Sequence, residues 1–192
     1  AATALRSAGF DLDLFPIGNC AVSALIDRCG RFVWACAPRI DSDPVFSALL
    51  GGLEPGDPAA KGTWEVVVDG AATVEQDYLR NTPILRTVIT DADGASIEII
   101  DFAPRYQQFG RSFRPTAFIR LIRPLTSVAR ITIRLRPTAD WGARAAEHTH
   151  GSNHIRYLCS DMTLRLSTDG PVSHLLEELG RTCACFWCLD KS

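Results

Sequence analysis

ILRTVITDADGASIEIIDF, residues 84–102, sets two apolar runs, Ile84–Thr90 and Ser96–Phe102, on either side of Asp91-Ala92-Asp93-Gly94. Asp and Gly tolerate the backbone angles of a tight reversal, so this stretch predicts a β-hairpin. The same period-two pattern recurs downstream. In Val128–Arg136 the apolar Ile131, Ile133 and Leu135 alternate with Thr132, Arg134 and Arg136, which gives a strand with one buried and one wet face. Leu164 and Leu166 alternate with Arg165 and Ser167 in Met162–Thr168, which pairs with His154–Leu158. Upstream, Ile17–Asp27 and Phe32–Ala37 flank the turn Arg28-Cys29-Gly30-Arg31. Thr63–Val68, Thr73–Leu79 and Thr116–Arg123 read as further strands, and Pro104–Arg114 as a polar, aromatic loop.

Short strands, regular turns and the near absence of helical periodicity predict an all-β fold, an antiparallel β-sandwich. One short helix is expected near 44–50, with Asp43 as its N-cap, Pro44 as its first residue and Gly51-Gly52 as its stop. Val172–Leu179 is either a last strand or a short helix. The domain is expected to cover 1–179, with 180–192 an atypical tail outside it.

Bulk composition excludes several function classes. A chain of 192 residues with 46% hydrophobic and 22% charged residues suits one globular domain. The net charge of -2 and the dispersed arginines argue against a nucleic-acid partner. No apolar run approaches the ~20 residues that span a bilayer, and no leader pattern opens the sequence, so no membrane partner is expected. The seven cysteines are odd in number and unevenly placed, and Cys20 and Cys36 sit in apolar surroundings. They favour reduced thiols and a cytoplasmic protein.

The usual catalytic constellations are missing from the sequence. There is no strained nucleophile turn of the G-x-S-x-G type, no phosphate-binding loop and no dinucleotide fingerprint. His148, His150 and His154 lie close in sequence, but exposed loop histidines explain them as well as a metal does. Cys185 and Cys188 form a C-x-x-C with no second pair to complete a zinc set. Neither a metal nor a cofactor is expected. Among carboxylates, Glu98 and Asp101 are separated by an odd number of residues, so a strand points them to opposite faces, away from joint acid–base work.

Five stretches, in order, carry a family resemblance: FPIGNCAVSALIDRCGRFVWACAPRIDSDPVFSALLGG at 15–52, DYLRNTPIL at 77–85, IEIIDFAPRYQQFGRSFRPTAFIRLIRPL at 97–125, RLRPTADWG at 134–142 and HGSNHIRY at 150–157. They resemble the amino-terminal domain of family 15 glycoside hydrolases, the trehalase- and glucoamylase-like group. Ala35, Ala37 and Ile40 depart from that pattern, which carries larger residues there, and the stretch after Leu179 departs from it altogether. The resemblance implies a super-sandwich that precedes an (α/α)₆ toroid, and the toroid carries the catalytic glutamates of an α-glucosidase or trehalase. No residue here matches those glutamates, so the expected function is that of a non-catalytic accessory domain in carbohydrate metabolism, with the catalytic (α/α)₆ domain as partner and an α-glucoside as the associated ligand. A free-standing carbohydrate-binding or scaffold module is the alternative.

Arg39, Asp41 and Ser42 follow a buried strand and enter a turn. They either dock against the catalytic domain and shape its sugar pocket, or simply close an Asx-type turn. Trp34 is either core or sugar platform; Trp64 and Trp141 pose the same choice. An uncovered sheet face would make the isolated domain a homodimer.

Overall fold

The computed structural model describes residues 12–51, 57, 59–126 and 129–177 in full, together with the backbone of Thr3–Ala4 and Cys185–Lys191. Among the described residues, two antiparallel sheets face each other. The larger has nine strands, in the order Thr3–Ala4, Ala71–Tyr78, Leu85–Asp91, Ser96–Phe102, Ala117–Pro124, Cys185–Lys191, Met162–Thr168, His154–Cys159 and Glu147–His150. The smaller runs Ile131–Arg136, Thr63–Val68, Phe32–Cys36, Ser23–Ile26 and Phe15–Gly18, with Pro44–Phe46 added against Phe32–Cys36. Two small hairpins, Tyr106–Gln108 with Arg111–Phe113 and Thr138–Ala139 with Arg144–Ala145, stand beside them. No described helix is long and apolar enough to cross a membrane.

Alternation explains the core. Ile131, Ile133 and Leu135 are buried and pair across Val68, Val66 and Trp64, while Thr132, Arg134 and Arg136 are half-buried on the other face. Ile97 and Ile99 do the same for the large sheet. Between the sheets lies an aromatic knot, with Phe32 5.1 Å from Trp64, 5.6 Å from Phe118 and 5.7 Å from Phe46, ring centre to ring centre. Ala35 and Ala37, small where the family pattern is large, are buried beside it.

Inside this apolar layer sits an ion pair. Asp101 and Arg120 are direct cross-strand partners, and both side chains are 0% exposed. Arg120 grips both carboxylate oxygens, at 2.7 and 2.9 Å. Its remaining donors cross the sandwich to the Trp64 and Gly30 carbonyls, at 3.0 and 2.6 Å. Its guanidinium lies 4.7 Å from the Phe32 ring and 5.1 Å from Trp64. Burial pushes the Asp101 carboxyl up from its ordinary range, and Arg120 opposes this by attraction and by hydrogen bonding. Glu98, of opposite parity as expected, binds Arg86 and Arg123 with its two oxygens.

Three expectations are corrected. The helix near 44–50 is confined to Ala48–Gly51, because Val45 and Phe46 bury themselves best as an extended strand, where Phe46 pairs with Ala35 and Pro44 with Cys36. Asp43 caps nothing there. The single strand expected over Ile17–Asp27 is two, reversed at Asn19–Val22, so Cys20 is exposed in a turn at φ 70° rather than packed in a strand. The loop at Pro104–Arg114 is a paired hairpin. Val172–Leu176 resolves as a short helix with Val172 and Leu175 buried. Cys185–Lys191 pairs with Ala117–Pro124 on one side and Met162–Thr168 on the other.

The register sorts the connections between two ends. The turns after Gly18, Cys36, Tyr78, Phe102, Arg136 and Cys159 share one end, tied together by bonds such as Tyr78 Oη to the Pro16 carbonyl at 2.8 Å. The opposite end carries short polar turns in which Asp27 and Asp91 accept from backbone N–H groups within the same turn.

Two stability predictions follow from these ion pairs. Asp101→Ala strands a buried guanidinium and costs about 3–5 kcal/mol in urea unfolding, whereas Asp101→Leu with Arg120→Met costs clearly less. For Glu98, burial pushes the carboxyl up, but Arg86 and Arg123 outweigh that and hold it below the ordinary range. A depressed folded value means stability present above the unfolded pKa, about 4.3, and lost as pH falls through the folded one. Glu98→Gln therefore lowers the melting midpoint at pH 7 and flattens its decline toward pH 3.

Candidate functional site

At the end where the turns gather, a shallow open cleft of about 530 Å³ is lined by Arg39, Asp41, Ser42, Asp43, Asp140, Trp141, Ser160 and Asp161. Three chain segments build it. The first leaves strand Phe32–Cys36. Ser42 N–H donates to the Arg39 carbonyl at 3.1 Å and Arg39 N–H to Ser42 Oγ at 3.3 Å, closing a turn. Arg39 holds both oxygens of Asp41, at 2.9 and 3.0 Å. The hydrogen bond from Arg39 keeps the Asp41 carboxyl below its usual range. Ile40, between them, is 68% exposed.

The second segment is Asp140-Trp141-Gly142, three successive residues in the left-handed region, at φ 54°, 57° and 85°. Such a run turns backbone N–H groups toward one point. That point is the Asp43 carboxylate, which accepts from Trp141 N–H at 2.7 Å and Asp140 N–H at 2.8 Å. Only glycine suits position 142: an added Cβ would lie 2.8 Å from Ser47 Oγ, and Ser47 is already bonded to Thr138 at 2.7 Å. The third segment is the Ser160-Asp161 turn. Ser160 Oγ bonds Asp43 Oδ2 and lies 3.1 Å from Asp140 Oδ1. Arg144 binds Asp140 at 2.5 Å, and that bond, then Ser160, lowers the Asp140 carboxyl.

The result is a rigid frame that presents Trp141, 61% exposed, above a polar floor. Chemically it is a surface for contact and hydrogen bonding. A glycosidase acid must hold its proton near neutral pH, which requires a raised carboxyl pKa; Asp41 and Asp140 are shifted the other way.

Arg39, Asp41 and Ser42 thus come together: they close the expected turn and also line the cleft. Trp34 does not join them. It is half-buried, opposite Leu25 on the outward face of the small sheet, and lies outside both the cleft lining and the core cluster. Trp64 is core, at 0% exposure. Asp43, expected as a helix cap, is drawn into the site, and so are Asp140, Ser160 and Asp161. The Asp-Trp-Gly string carried a signal, since Asp and Gly favour left-handed backbone, but Ser160-Asp161 is joined to it only by the fold. His148 and His150 are exposed on one edge strand, and His154 begins the next, its Nδ1 3.2 Å from Asn153. Among the described residues no three His, Cys, Asp or Glu side chains form a metal-holding group. Cys183 lies outside the described residues, and the side chains of Cys185 and Cys188 outside the described atoms.

Asp43→Ala is expected to cost roughly 1 kcal/mol, because Asp140 and Trp141 are exposed and water replaces part of what their N–H groups lose. Gly142→Ala is expected to cost more, about 1–3 kcal/mol, from left-handed strain and the Ser47 clash. Chemical denaturation of both variants orders them.

Comparison with known proteins gives the chain a family and one curated relative. The family described as "Trehalase-like, N-terminal" matches residues 14–184. A trehalase from Thermoplasma volcanium is 26% identical over 129 residues, which are 66% of this chain and 19% of that protein. The chain therefore spans about a fifth of the length of that curated relative. No solved structure matches the chain. The matched span covers the small sheet, seven of the nine strands of the large one and all three segments of the cleft, and the chain belongs to the trehalase-like N-terminal domain family.

Proposed function

We propose that this chain is the non-catalytic N-terminal domain of an α-glucoside hydrolase of the trehalase or glucoamylase type, a family 15 glycoside hydrolase, and that it supports a catalytic (α/α)₆ domain docked on the end bearing the cleft. The observation that carries the reading is the clustering of exposed aromatic surface. Among the described residues Tyr78, Tyr106, Phe109, Phe113 and Trp141 are all exposed at that end, with Ile40 and Leu79 beside them, whereas the opposite end exposes the aliphatic Leu12 and Leu125 and closes in self-bonded polar turns. Aromatic side chains gathered at one end mark a surface that is normally covered. Arg39 and Asp41, paired with each other, are exposed at the same end. The lowered carboxyls of Asp41 and Asp140 support a contact role over acid catalysis.

One observation favours the second reading, a free-standing carbohydrate-binding module. Trp141 stands exposed over hydroxyl, carboxylate and guanidinium groups, the mix that holds a sugar ring by stacking and hydrogen bonding. Titration of the isolated chain with trehalose and maltose separates the two: saturable binding lost in Trp141→Ala supports the module.

The docking reading is tested by hydrogen exchange on the isolated chain and on the full-length parent enzyme. Segments 38–43 and 140–142 exchange more slowly in the full-length protein, and only the full-length protein releases glucose from trehalose or maltose. Equal exchange in both, or glucose release by the chain alone that disappears on mutating one of its own carboxylates, would falsify it.

A further inference from the structure

The hairpin Tyr106–Gln108 with Arg111–Phe113 has no role in the core. Residues 105–114 are all exposed. Its cross-strand pair Tyr106 and Phe113 stack at 5.5 Å and 15°, on the hairpin itself. A two-stranded ribbon of this size is marginal in water without support. Here the support is at its feet. Asn19, 2% exposed, donates from Nδ2 to the carbonyls of Pro104 and Pro115, at 2.9 and 2.8 Å, and accepts at Oδ1 from Ala21 and Val22 N–H. One buried amide thus fixes both ends of the hairpin to the turn at Asn19–Val22, and the ribbon projects from the end that carries the cleft.

Its tip is built against local preference. The two-residue reversal Phe109-Gly110 has φ of 50° and 70°, a geometry that favours Asn-Gly. A bulky aromatic in the left-handed region is disfavoured, yet Phe109 is 90% exposed. The charge is equally one-sided. Arg105, Arg111 and Arg114 flank the hairpin, and no Asp or Glu occurs between Asp101 and Asp140. Arg105 reaches Cys20 Sγ at 3.8 Å, and among the described residues no carboxylate pairs with Arg111 or Arg114.

We propose that this hairpin is a docking arm. Phe109 inserts as an aromatic anchor into an apolar pocket, and Arg111 and Arg114 meet carboxylates around its rim, on an acidic surface of the catalytic portion of the parent enzyme. The inference rests on the docking reading above and names the contact that directs it. The arm offers three positive charges and no opposing one, and by charge complementarity it suits an acidic surface. Aromatic anchors seated in pockets dominate binding energy, while charge governs encounter and salt dependence.

The test titrates the chain against the separately produced remainder of its parent enzyme, at low and high salt. Wild-type affinity falls as salt rises. Arg111→Glu with Arg114→Glu weakens binding about tenfold or more at low salt and removes most of the salt dependence. Phe109→Ser weakens it by about tenfold or more and leaves the salt dependence in place. Melting midpoints of all variants match wild type, because the hairpin lies outside the core. Hairpin variants that bind like wild type, while Trp141→Ala or Ile40→Asp loses affinity, overturn the arm and leave the docking reading standing. No binding by the wild-type chain overturns the docking reading and the arm with it. Self-association of the chain that disappears in the hairpin variants, without change in binding to the remainder, assigns the arm to a second copy and overturns the proposal.

Discussion

A charged pair with no access to water holds the two sheets in register. Asp101 and Arg120 face each other across neighbouring strands of the large sheet, and Arg120 extends past its partner to carbonyls of the small one. Desolvating both ions is expensive, and a well-packed apolar pair often serves stability as well. What the ion pair supplies is position. Its donors accept only one relative placement of the Gly30 turn, the Trp64 strand and the strand Ala117–Pro124. Phe32 and Trp64 then pack on the guanidinium, so the aromatic knot is arranged around it. Every turn at the cleft end inherits its position from strands aligned this way.

The cleft end repeats the device at the surface. There a carboxylate, Asp43, gathers backbone N–H groups from a segment almost a hundred residues away and fixes the Asp140-Trp141-Gly142 bend. Asn19 does the same for the hairpin with a neutral amide. In both cases one side chain satisfies several backbone groups that the sheets leave over, and an exposed aromatic, Trp141 or Phe109, is presented in a fixed attitude. Rigid presentation lowers the ordering cost of binding, which suits the docking role proposed for this surface.

Much of this architecture is legible in the chain itself, for identifiable reasons. The alternation of Ile131, Ile133 and Leu135 with polar residues survives because one face of the strand is dry and the other wet. The odd spacing of Glu98 and Asp101 rightly separates them, but parity alone does not say which points inward. Local chemistry favours neither carboxylate for the core until Arg120 stands opposite Asp101. The short helix expected near 44–50 forms only over Ala48–Gly51, for a related reason. Asp43-Pro44 is a sound local start signal, overridden because Asp43 has partners 97, 98 and 117 residues away and Phe46 has a strand to join. Arg39, Asp41 and Ser42 were identifiable from their position after a strand stop, whereas Ser160 and Asp161 lie in an ordinary hairpin turn and acquire meaning only by adjacency.

The strand order of the large sheet bears on how the chain folds. Cys185–Lys191, the last strand in sequence, lies between Ala117–Pro124 and Met162–Thr168. Until it arrives, the sheet exists as two pieces whose inner edges have unfilled hydrogen bonds, and neither piece can find the other through local contacts. Closure of that gap is a long-range event, of the kind that slows folding and leaves strand edges open to intermolecular pairing meanwhile. During synthesis the earlier strands therefore emerge and wait, and the sandwich reaches its final width only when the ribosome has released its closing strand.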